Sequence, residues 1–317
     1  MASDPMRKRR AVAGGAVLVV VLAVVALMVV RSTGSIAPIA GSISHPASMT
    51  PIATRPAAAD DRTLSTRVDG HVRTLILHTP PQAARGTALP LVLVYHGALA
   101  TASGTESSTD FDRIANAHGF LVAFLQGYQD TWNEGAGHTP AERAGINDVA
   151  FTKAALAVIE RTSNVDRSRV VATGFSNGAL LTDLLGCRLA GVLRAIVPVS
   201  GPLPVTVSAS CAPAAPISVL EVHGTNDTAI PYDGGHFVGV GGGTTVLSAP
   251  AAVARWASLD GCRSVPNSTA AQPGVRITTY SGCRDDVSVS LRTLVGGGHS
   301  WPADIGTLVD DLPMMHS

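Results

Sequence analysis

The chain has 317 residues, with 23 lysines and arginines against 23 aspartates and glutamates, and 46% of its residues are hydrophobic. That length can bury a substantial core in one large domain or two small ones. A formal charge of zero argues against a nucleic-acid-binding protein, which would usually carry a basic excess. A content of only 15% charged residues argues against a mainly disordered chain.

The N-terminus has the pattern of a targeting segment. Four consecutive basic residues at 7–10 precede an uncharged apolar run from Ala11 to Val30. About 20 helical residues span roughly 30 Å, the thickness of the hydrocarbon core of a bilayer. The excess of cations before the run predicts a cytoplasmic N-terminus. Residues 1–31 are therefore predicted to be an uncleaved signal anchor, in preference to a cleaved signal peptide, and the remainder is expected to be extracytoplasmic, membrane-anchored or secreted.

Residues 32–62 are rich in Ser, Ala, Pro and Thr, which predicts a flexible linker. From residue 63 to 317 the pattern predicts one α/β domain with a mostly parallel central sheet and helices on both faces. An antiparallel hairpin is expected at Val68–His78, and Asn147–Thr162 has helical spacing. Continuous apolar runs predict buried strands at Leu89–Tyr95 and Phe120–Leu125. Further short strands are predicted at Val170–Thr173, Ala195–Val199, Ile217–Val222 and Ser288–Leu294.

The strongest chemical motif is the G-x-S-x-G sequence from Gly174 to Gly178, centred on Ser176. It follows a predicted strand and precedes a predicted helix, as a nucleophile elbow requires. Such a turn exposes the serine hydroxyl and aims the Asn177 amide at a developing oxyanion. Ser176 is therefore the predicted catalytic nucleophile.

A nucleophilic serine needs a histidine base that is itself oriented by a carboxylate. Asp227 follows the strand Ile217–Val222 and is the predicted acid, with Asp233 in the same loop as the alternative. His299 follows the last strand in a glycine-rich loop and is the predicted base, with His223 and His236 as rivals.

Other residues are expected around this serine. Ala98, after the strand Leu89–Tyr95, is the predicted second oxyanion donor, with Leu99 as the alternative. His96 is interpreted as a residue that shapes this loop. Trp132 and Asn133 follow the strand Phe120–Leu125, and with Trp301 they are predicted to line the substrate pocket.

The sequence has no HExxH motif, no GxGxxG fingerprint and no Walker motif, so we expect neither a metal ion nor a cofactor. The glycine run at 239–243 is interpreted as a loop insertion. The four cysteines are predicted to form the disulfides Cys187–Cys211 and Cys262–Cys283, one of three possible connectivities, as befits an exported domain.

Taken together, these motifs resemble the poly(3-hydroxybutyrate) depolymerase and feruloyl/acetylxylan esterase group of α/β-hydrolases, the LpqC-like esterases. The resemblance runs from about Asp69 to Pro302 and rests on LVLVYHG, Trp132-Asn133, GFSNGAL, HGTNDTAIPYDGG, the cysteine pairs and GGGHSWP. It implies an α/β-hydrolase fold, Ser176, Asp227 and His299 as a triad, and hydrolysis of carboxylic esters such as polyhydroxyalkanoate oligomers or feruloyl and acetyl esters.

The sequence departs from this group at its C-terminus. Members typically continue past the histidine loop into a closing helix with aromatic residues, whereas this chain ends in DDLPMMHS. We therefore expect one face of the sheet to be poorly covered. An acyltransferase or peptidase on the same triad and an inert, membrane-tethered hydrolase-like binding protein are the alternatives to an esterase. None of these hypotheses implies a nucleic-acid partner.

Overall fold

The computed structural model describes residues 59–263 and 265–316. The predicted signal anchor at 1–31 and all but the end of the predicted linker lie outside these residues. Within the described ranges, no helix combines the length and the apolar character needed to cross a membrane.

The described residues form twelve strands and eight α-helices. The strands are β1 (Asp60–Val68), β2 (His71–Thr79), β3 (Leu89–Tyr95), β4 (Leu121–Leu125), β5 (Val165–Phe175), β6 (Ala195–Val199), β7 (Ser218–Gly224), β8 (Gly235–Gly239), β9 (Gly242–Val246), β10 (Asn267–Gln272), β11 (Val275–Tyr280) and β12 (Val289–Leu294). The helices are α1 (Ala102–Ser108), α2 (Phe111–His118), α3 (Pro140–Arg143), α4 (Asp148–Glu160), α5 (Asn177–Leu189), α6 (Val205–Ser210), α7 (Ala249–Leu259) and α8 (Ile305–Asp310).

Ten strands form one sheet in the order β1-β2-β4-β3-β5-β6-β7-β12-β11-β10. The central strands from β4 to β12 run parallel, and antiparallel strands extend the sheet at both edges. All seven residues of β3 are buried, because helices cover both faces of the sheet there. The α/β fold class predicted from the sequence is confirmed. An early antiparallel hairpin is present at β1–β2, but it begins before the predicted bounds, since Val68–His78 covers only its turn and most of its second strand.

Two apolar cores lie on opposite faces of the sheet. Helices α4, α5 and α7 bury Phe151, Leu181 and Trp256 on one face. Helices α1, α2 and α8 bury Ala102, Phe111 and Val309 on the other. Asn147 caps α4 by accepting a hydrogen bond from the Ala150 amide, so this helix begins one residue after the predicted start.

The expectation of a poorly covered sheet face is wrong. Helix α8 and the 3-10 helix Pro313–Met315 pack their apolar side chains into the second core. The Gly306 amide also donates a hydrogen bond of 2.7 Å to Asp110 at the start of α2. This short segment covers the face because its apolar residues recur at helical spacing and are buried together, at Ile305, Leu308, Val309, Leu312 and Met315.

The glycine run at 239–243 is part of a two-stranded hairpin, β8–β9, which stands apart from the main sheet. Phe237 and Val246 of this hairpin pack on Leu180 and Ile230 in a small separate core. The hairpin therefore lies beside the start of α5, where the carboxyl ends of the central strands gather the residues described next.

Candidate active site

Ser176 lies in a strained turn between β5 and α5. Its backbone has φ 55° and ψ −118°, a conformation that L-residues adopt only when their surroundings impose it. A Cβ at Gly174 would collide with Gly178, and a Cβ at Gly178 would collide with the Tyr95 carbonyl group of β3. The two glycines are thus required by close backbone packing, and the turn holds the serine hydroxyl above the sheet.

The structure brings Ser176, Asp227 and His299 together from three separate loops. The Ser176 Oγ lies 2.9 Å from His299 Nε2. On the other side of the ring, His299 Nδ1 lies 2.7 Å from Asp227 Oδ2. Both distances are within hydrogen-bond range, so the histidine can accept the serine proton while the carboxylate holds its other nitrogen protonated.

Backbone amides and a second histidine fix the Asp227 carboxylate. Its Oδ1 accepts hydrogen bonds of 2.9 Å from the amides of Ala229 and Ile230. Its Oδ2 lies 3.3 Å from His223 Nε2. Burial alone would raise the pKa of Asp227, but hydrogen bonds from His223, His299 and the Ile230 amide outweigh it and hold the pKa well below the usual range. Asp227 therefore remains ionised at neutral pH.

His223, a rival base, is fully buried behind Asp227 and does not reach the serine. Its Nδ1 lies 3.3 Å from Glu221 Oε1, and its Nε2 lies 3.0 Å from the Ile230 carbonyl oxygen. Burial lowers its pKa, yet the hydrogen bonds to Asp227 and Glu221 prevail and raise it to about 9. In its protonated form, His223 stabilises the negative charge of the Asp227 carboxylate.

Asp233, His236 and His96 take no part in this hydrogen-bonded chain. Asp233 is exposed to solvent on the loop after β7. His236, on β8, lines a cleft beside Ser176 but lies outside the chain of hydrogen bonds. His96 shapes the loop after β3, as expected, because its Nδ1 donates to the Gly97 carbonyl oxygen and its Nε2 accepts from the Gly127 amide.

Two residues that line the same cleft as the serine, Ala98 and Asn177, carry backbone amides that are candidate oxyanion donors. The amide of Asn177 is the first of α5, and no hydrogen bond within the described ranges uses it or the amide of Ala98. The Leu99 amide, the alternative donor, already donates 2.9 Å to the Asp130 carbonyl oxygen. Hydrogen bonding in the loop therefore favours Ala98 with Asn177 as the pair of donors.

Trp132 does not line the pocket, contrary to the sequence prediction. Its side chain is 0% exposed and its indole N–H donates 2.8 Å to the His96 carbonyl oxygen. Its backbone amide donates 2.8 Å to the side-chain oxygen of Asn177. The indole therefore points inward. Through these two bonds Trp132 connects the loop that carries Ala98 to the turn that carries Ser176.

Asn133 is also not at the pocket. Its side-chain amide donates to the Ile146 carbonyl oxygen, and its backbone amide donates to the Asp148 carboxylate. These bonds direct Asn133 to a separate surface depression beside Gly145 and Leu184. The prediction missed this because the direction of a loop side chain depends on tertiary partners.

We expect Trp132→Phe to lower kcat as well as stability. The change removes the indole donor and leaves the buried His96 carbonyl oxygen without its partner, which costs about 1–3 kcal/mol. Chemical denaturation and p-nitrophenyl acetate hydrolysis would measure both effects. Trp256→Phe is the matched control, because that buried indole donates to Asp183 of α5 and not to the His96 carbonyl oxygen. Equal kcat losses in the two variants would contradict the positioning role of Trp132.

Two clefts meet at the serine. The first, of about 430 Å³, runs from Ser176 along the β8–β9 hairpin and is lined by Leu180, Ile230, Phe237 and Val238. The second, of about 440 Å³, contains His299 and Trp301 and a row of small and hydroxyl-bearing residues between 97 and 108. Trp301 stacks on Phe175 with ring centroids 5.5 Å apart, so it lies at the second cleft as predicted from sequence.

The first cleft also borders a cluster that the sequence prediction of no metal site overlooked. Glu134, His138 and Glu142 each place one potential ligand atom within 4.8 Å of the other two. Burial raises the pKa of the Glu134 carboxyl to about 8, and its own amide and the nearby Asn177 side chain lower it only in part. Glu134, His138 and Glu142 are spaced four residues apart in the sequence. Because no helix was predicted there, this spacing did not indicate that the three side chains lie close together.

Two disulfides join Cys187 to Cys211 and Cys262 to Cys283. The first links the end of α5 to the segment after α6. The second ties the residues after α7 to those after β11. The pairing is the one expected from the sequence, and no free cysteine remains in the described part of the chain.

Sequence comparison finds relatives among esterases. Residues 116–238 match the phospholipase/carboxylesterase family. The chain is 30% identical over 284 residues to the putative esterase NocK of Nocardia uniformis subsp. tsuyamanensis, a match covering 84% of this chain and 81% of that one. It is 33% identical over 235 residues to feruloyl esterase B of Piromyces equi, covering 72% of this chain and 42% of that enzyme. The chain thus spans less than half the length of the fungal enzyme.

Solved structures share the architecture. An acetyl xylan esterase from Aspergillus awamori superposes with a TM-score of 0.58 at 15% identity, covering 78% of this chain and 98% of that one. A ferulic acid esterase from Anaeromyces mucronatus gives a TM-score of 0.51 at 13% identity over 82% and 92%. At these identities the likeness establishes a common fold.

Proposed function

Because the chain belongs to the α/β-hydrolase group of feruloyl and acetylxylan esterases, we propose that it is a serine carboxylic-ester hydrolase that works through an acyl-enzyme. The observation that carries the proposal is the continuous hydrogen-bonded chain from Ser176 through His299 to Asp227. This chain lies at the junction of two clefts, beside the amides of Ala98 and Asn177, which have no acceptor among the described residues.

In the first half-reaction, the Ser176 oxygen attacks the ester carbonyl carbon while His299 Nε2 takes the serine proton. Asp227 stabilises the imidazolium, and the amides of Ala98 and Asn177 donate to the oxyanion. The tetrahedral intermediate then expels the alcohol, whose oxygen receives the proton from His299. In the second half-reaction, water attacks the acyl-enzyme, gives a proton to His299, and releases the acid as the Ser176 oxygen regains that proton.

The position of His299 indicates which part of the ester lies in each cleft. Ser176 and Ala98 border both clefts, so the reacting carbonyl lies where the clefts meet. His299 borders only the second cleft. Because this histidine must protonate the leaving oxygen, the alcohol occupies the second cleft and the acyl group occupies the first.

The linings indicate the class of ester. The acyl cleft has apolar walls at Leu180, Ile230, Phe237 and Val238, with polar groups such as Thr139 among them. Such a lining suits an aromatic acyl group with polar substituents, of the feruloyl kind, better than acetyl alone. The alcohol cleft is bordered by Thr101, Thr105 and Ser108, whose hydroxyl groups suit an alcohol with several hydroxyls.

Val238→Trp tests this assignment. Val238 is 77% exposed at the rim of the acyl cleft, so a larger side chain there narrows the cleft without disturbing a core. We expect kcat/KM for methyl ferulate to fall at least tenfold, and that for p-nitrophenyl acetate to change about twofold at most. Val265→Trp is the control, since Val265 is 87% exposed and borders neither cleft. Equal losses on both esters would refute the assignment of the acyl cleft.

The place of action is also a proposal. Two disulfides suit an oxidising compartment, and the basic block followed by an apolar run suits export of everything after it. We infer an extracytoplasmic enzyme, either anchored by residues 1–31 or released from them. Immunoblotting of cytoplasmic, membrane and culture fractions separates these outcomes, and protein found only in the cytoplasm would contradict export.

A further inference from the structure

Three side chains of types that can ligate a metal ion converge behind the wall of the acyl cleft. Glu134 lies in the loop after Trp132, His138 lies before α3, and Glu142 belongs to α3. Glu134 Oε1 and His138 Nδ1 are 3.2 Å apart. Adjacent ligand atoms around a tetrahedral zinc ion with bonds of about 2.0–2.1 Å are separated by about 3.4 Å, so this pair already has the spacing of two ligands.

The burial of these groups is the second observation. The Glu134 side chain is 0% exposed, and neither of its carboxylate oxygens has a hydrogen-bond partner of normal geometry among the described residues. The buried Nδ1 of His138 likewise lacks such a partner, although the carboxylate is beside it. Unpaired buried polar atoms cost free energy, and a shared cation satisfies all of them at once.

The surroundings already hold the ligands in place. The Glu142 carboxylate accepts a hydrogen bond of 2.9 Å from the His138 amide, which orients it toward the other two groups. The Arg143 guanidinium donates to the carbonyl oxygens of His138 and Gly241, so its charge is directed to the backbone. Glu134 releases its proton when a cation binds, and with Glu142 it then supplies two negative charges, which match a divalent ion.

We propose that Glu134, His138 and Glu142 form a binding site for a divalent cation of the zinc class. Two carboxylates and one imidazole are the mixture of oxygen and nitrogen donors that zinc accepts, with a fourth position open to water. The ion ties the loop after Trp132 to α3 and so stiffens the wall where His138 and Thr139 border the acyl cleft.

A second cluster provides the comparison. Asp61, His78 and Asp112 also bring two carboxylates near one imidazole. There, however, both ring nitrogens of His78 are already engaged, by Asp61 and by Asn116, and the Asp61 side chain is 55% exposed. His78 therefore has no free nitrogen for an ion, so this second cluster is not expected to bind one, although Asp112 Oδ1 has no hydrogen-bond partner among the described residues.

The test is calorimetric titration of the untagged full-length protein with zinc chloride after removal of metal by EDTA, combined with thermal unfolding. We expect one ion per chain and a rise in Tm of about 5 °C at a zinc concentration 100 times Kd. Glu134→Gln and Glu142→Gln should each weaken binding at least tenfold and abolish the rise in Tm. Asp112→Asn, the matched control in the second cluster, should behave as the wild type.

Several results would overturn the proposal. These are an absence of binding to the wild type at millimolar zinc, unchanged binding in both glutamine variants, or loss of binding in Asp112→Asn. If Glu134→Gln fails to fold, Glu142→Gln alone decides, because Glu142 is only half-buried and its replacement leaves the core intact. The readouts do not use ester hydrolysis, so the cation site and the esterase activity are tested separately.

Discussion

Ser176→Ala is expected to reduce kcat for p-nitrophenyl ester hydrolysis by about 10⁶-fold, to the level of the uncatalysed reaction plus any residual effect of the oxyanion donors. The loss follows because the hydroxyl 2.9 Å from His299 is the nucleophile that the base deprotonates for attack on the carbonyl carbon. Steady-state kinetics with a short-chain substrate measures the change, and a fluorophosphonate probe should no longer label the protein.

Ser107→Ala is the matched control for this experiment. Ser107 lies exposed on α1, and its hydroxyl only donates to the Ser103 carbonyl oxygen. It should label and hydrolyse like the wild type. Retention of more than about 1% of the activity in Ser176→Ala would remove this serine from the mechanism and favour a binding protein or a different nucleophile.

Asp227→Asn should lower kcat by about 10⁴-fold, and it should also lower stability because Oδ2 faces the buried His223. The Ala229 and Ile230 amides will hold the oxygen of the new side chain where Oδ1 is now. Its NH₂ group must then face His299 Nδ1 and donate to it. That forces the ring proton onto Nε2, which can no longer accept the proton of Ser176.

Asp233→Asn distinguishes the two acids of this loop. Asp233 is exposed, and its replacement should leave kcat unchanged. The measurements are kcat and the rate of labelling by the fluorophosphonate probe, which both depend on the basicity of His299. Full activity in Asp227→Asn together with a large loss in Asp233→Asn would reverse the assignment.

The parts of the site predictable from sequence are those fixed by short-range constraints. Ser176 could be found because a tight strand–turn–helix junction demands glycine at positions 174 and 178. Asp227 and His299 could be placed because each follows a recognisable strand in the order the fold requires. Hydrogen bonding in the loop, by contrast, was needed to choose between the amides of Ala98 and Leu99.

The parts of the structure that the sequence did not reveal depend on the direction of individual side chains and on long-range packing. The residues next to Trp132 in the sequence do not indicate that its side chain points inward to the His96 carbonyl oxygen and away from solvent. The short helix α8 was overlooked although Ile305, Leu308 and Val309 have helical spacing, because six residues give a weak periodic signal. Glu134 and His138 meet in a loop, where spacing along the chain does not determine which side chains converge.

Under the proposed assignment of the clefts, the hairpin β8–β9 separates the choice of acyl group from the bond-breaking chemistry. The triad stands on loops of the ten-stranded sheet, whereas much of the acyl cleft belongs to a two-stranded unit seated on Leu180 and Ile230. Beyond these contacts, it is held by a bridge between Pro204 and Val246 and by the Arg143 bond to Gly241. Evolution or design can therefore replace this hairpin to change the acyl group that the enzyme accepts, while the groups that cleave the ester stay in place.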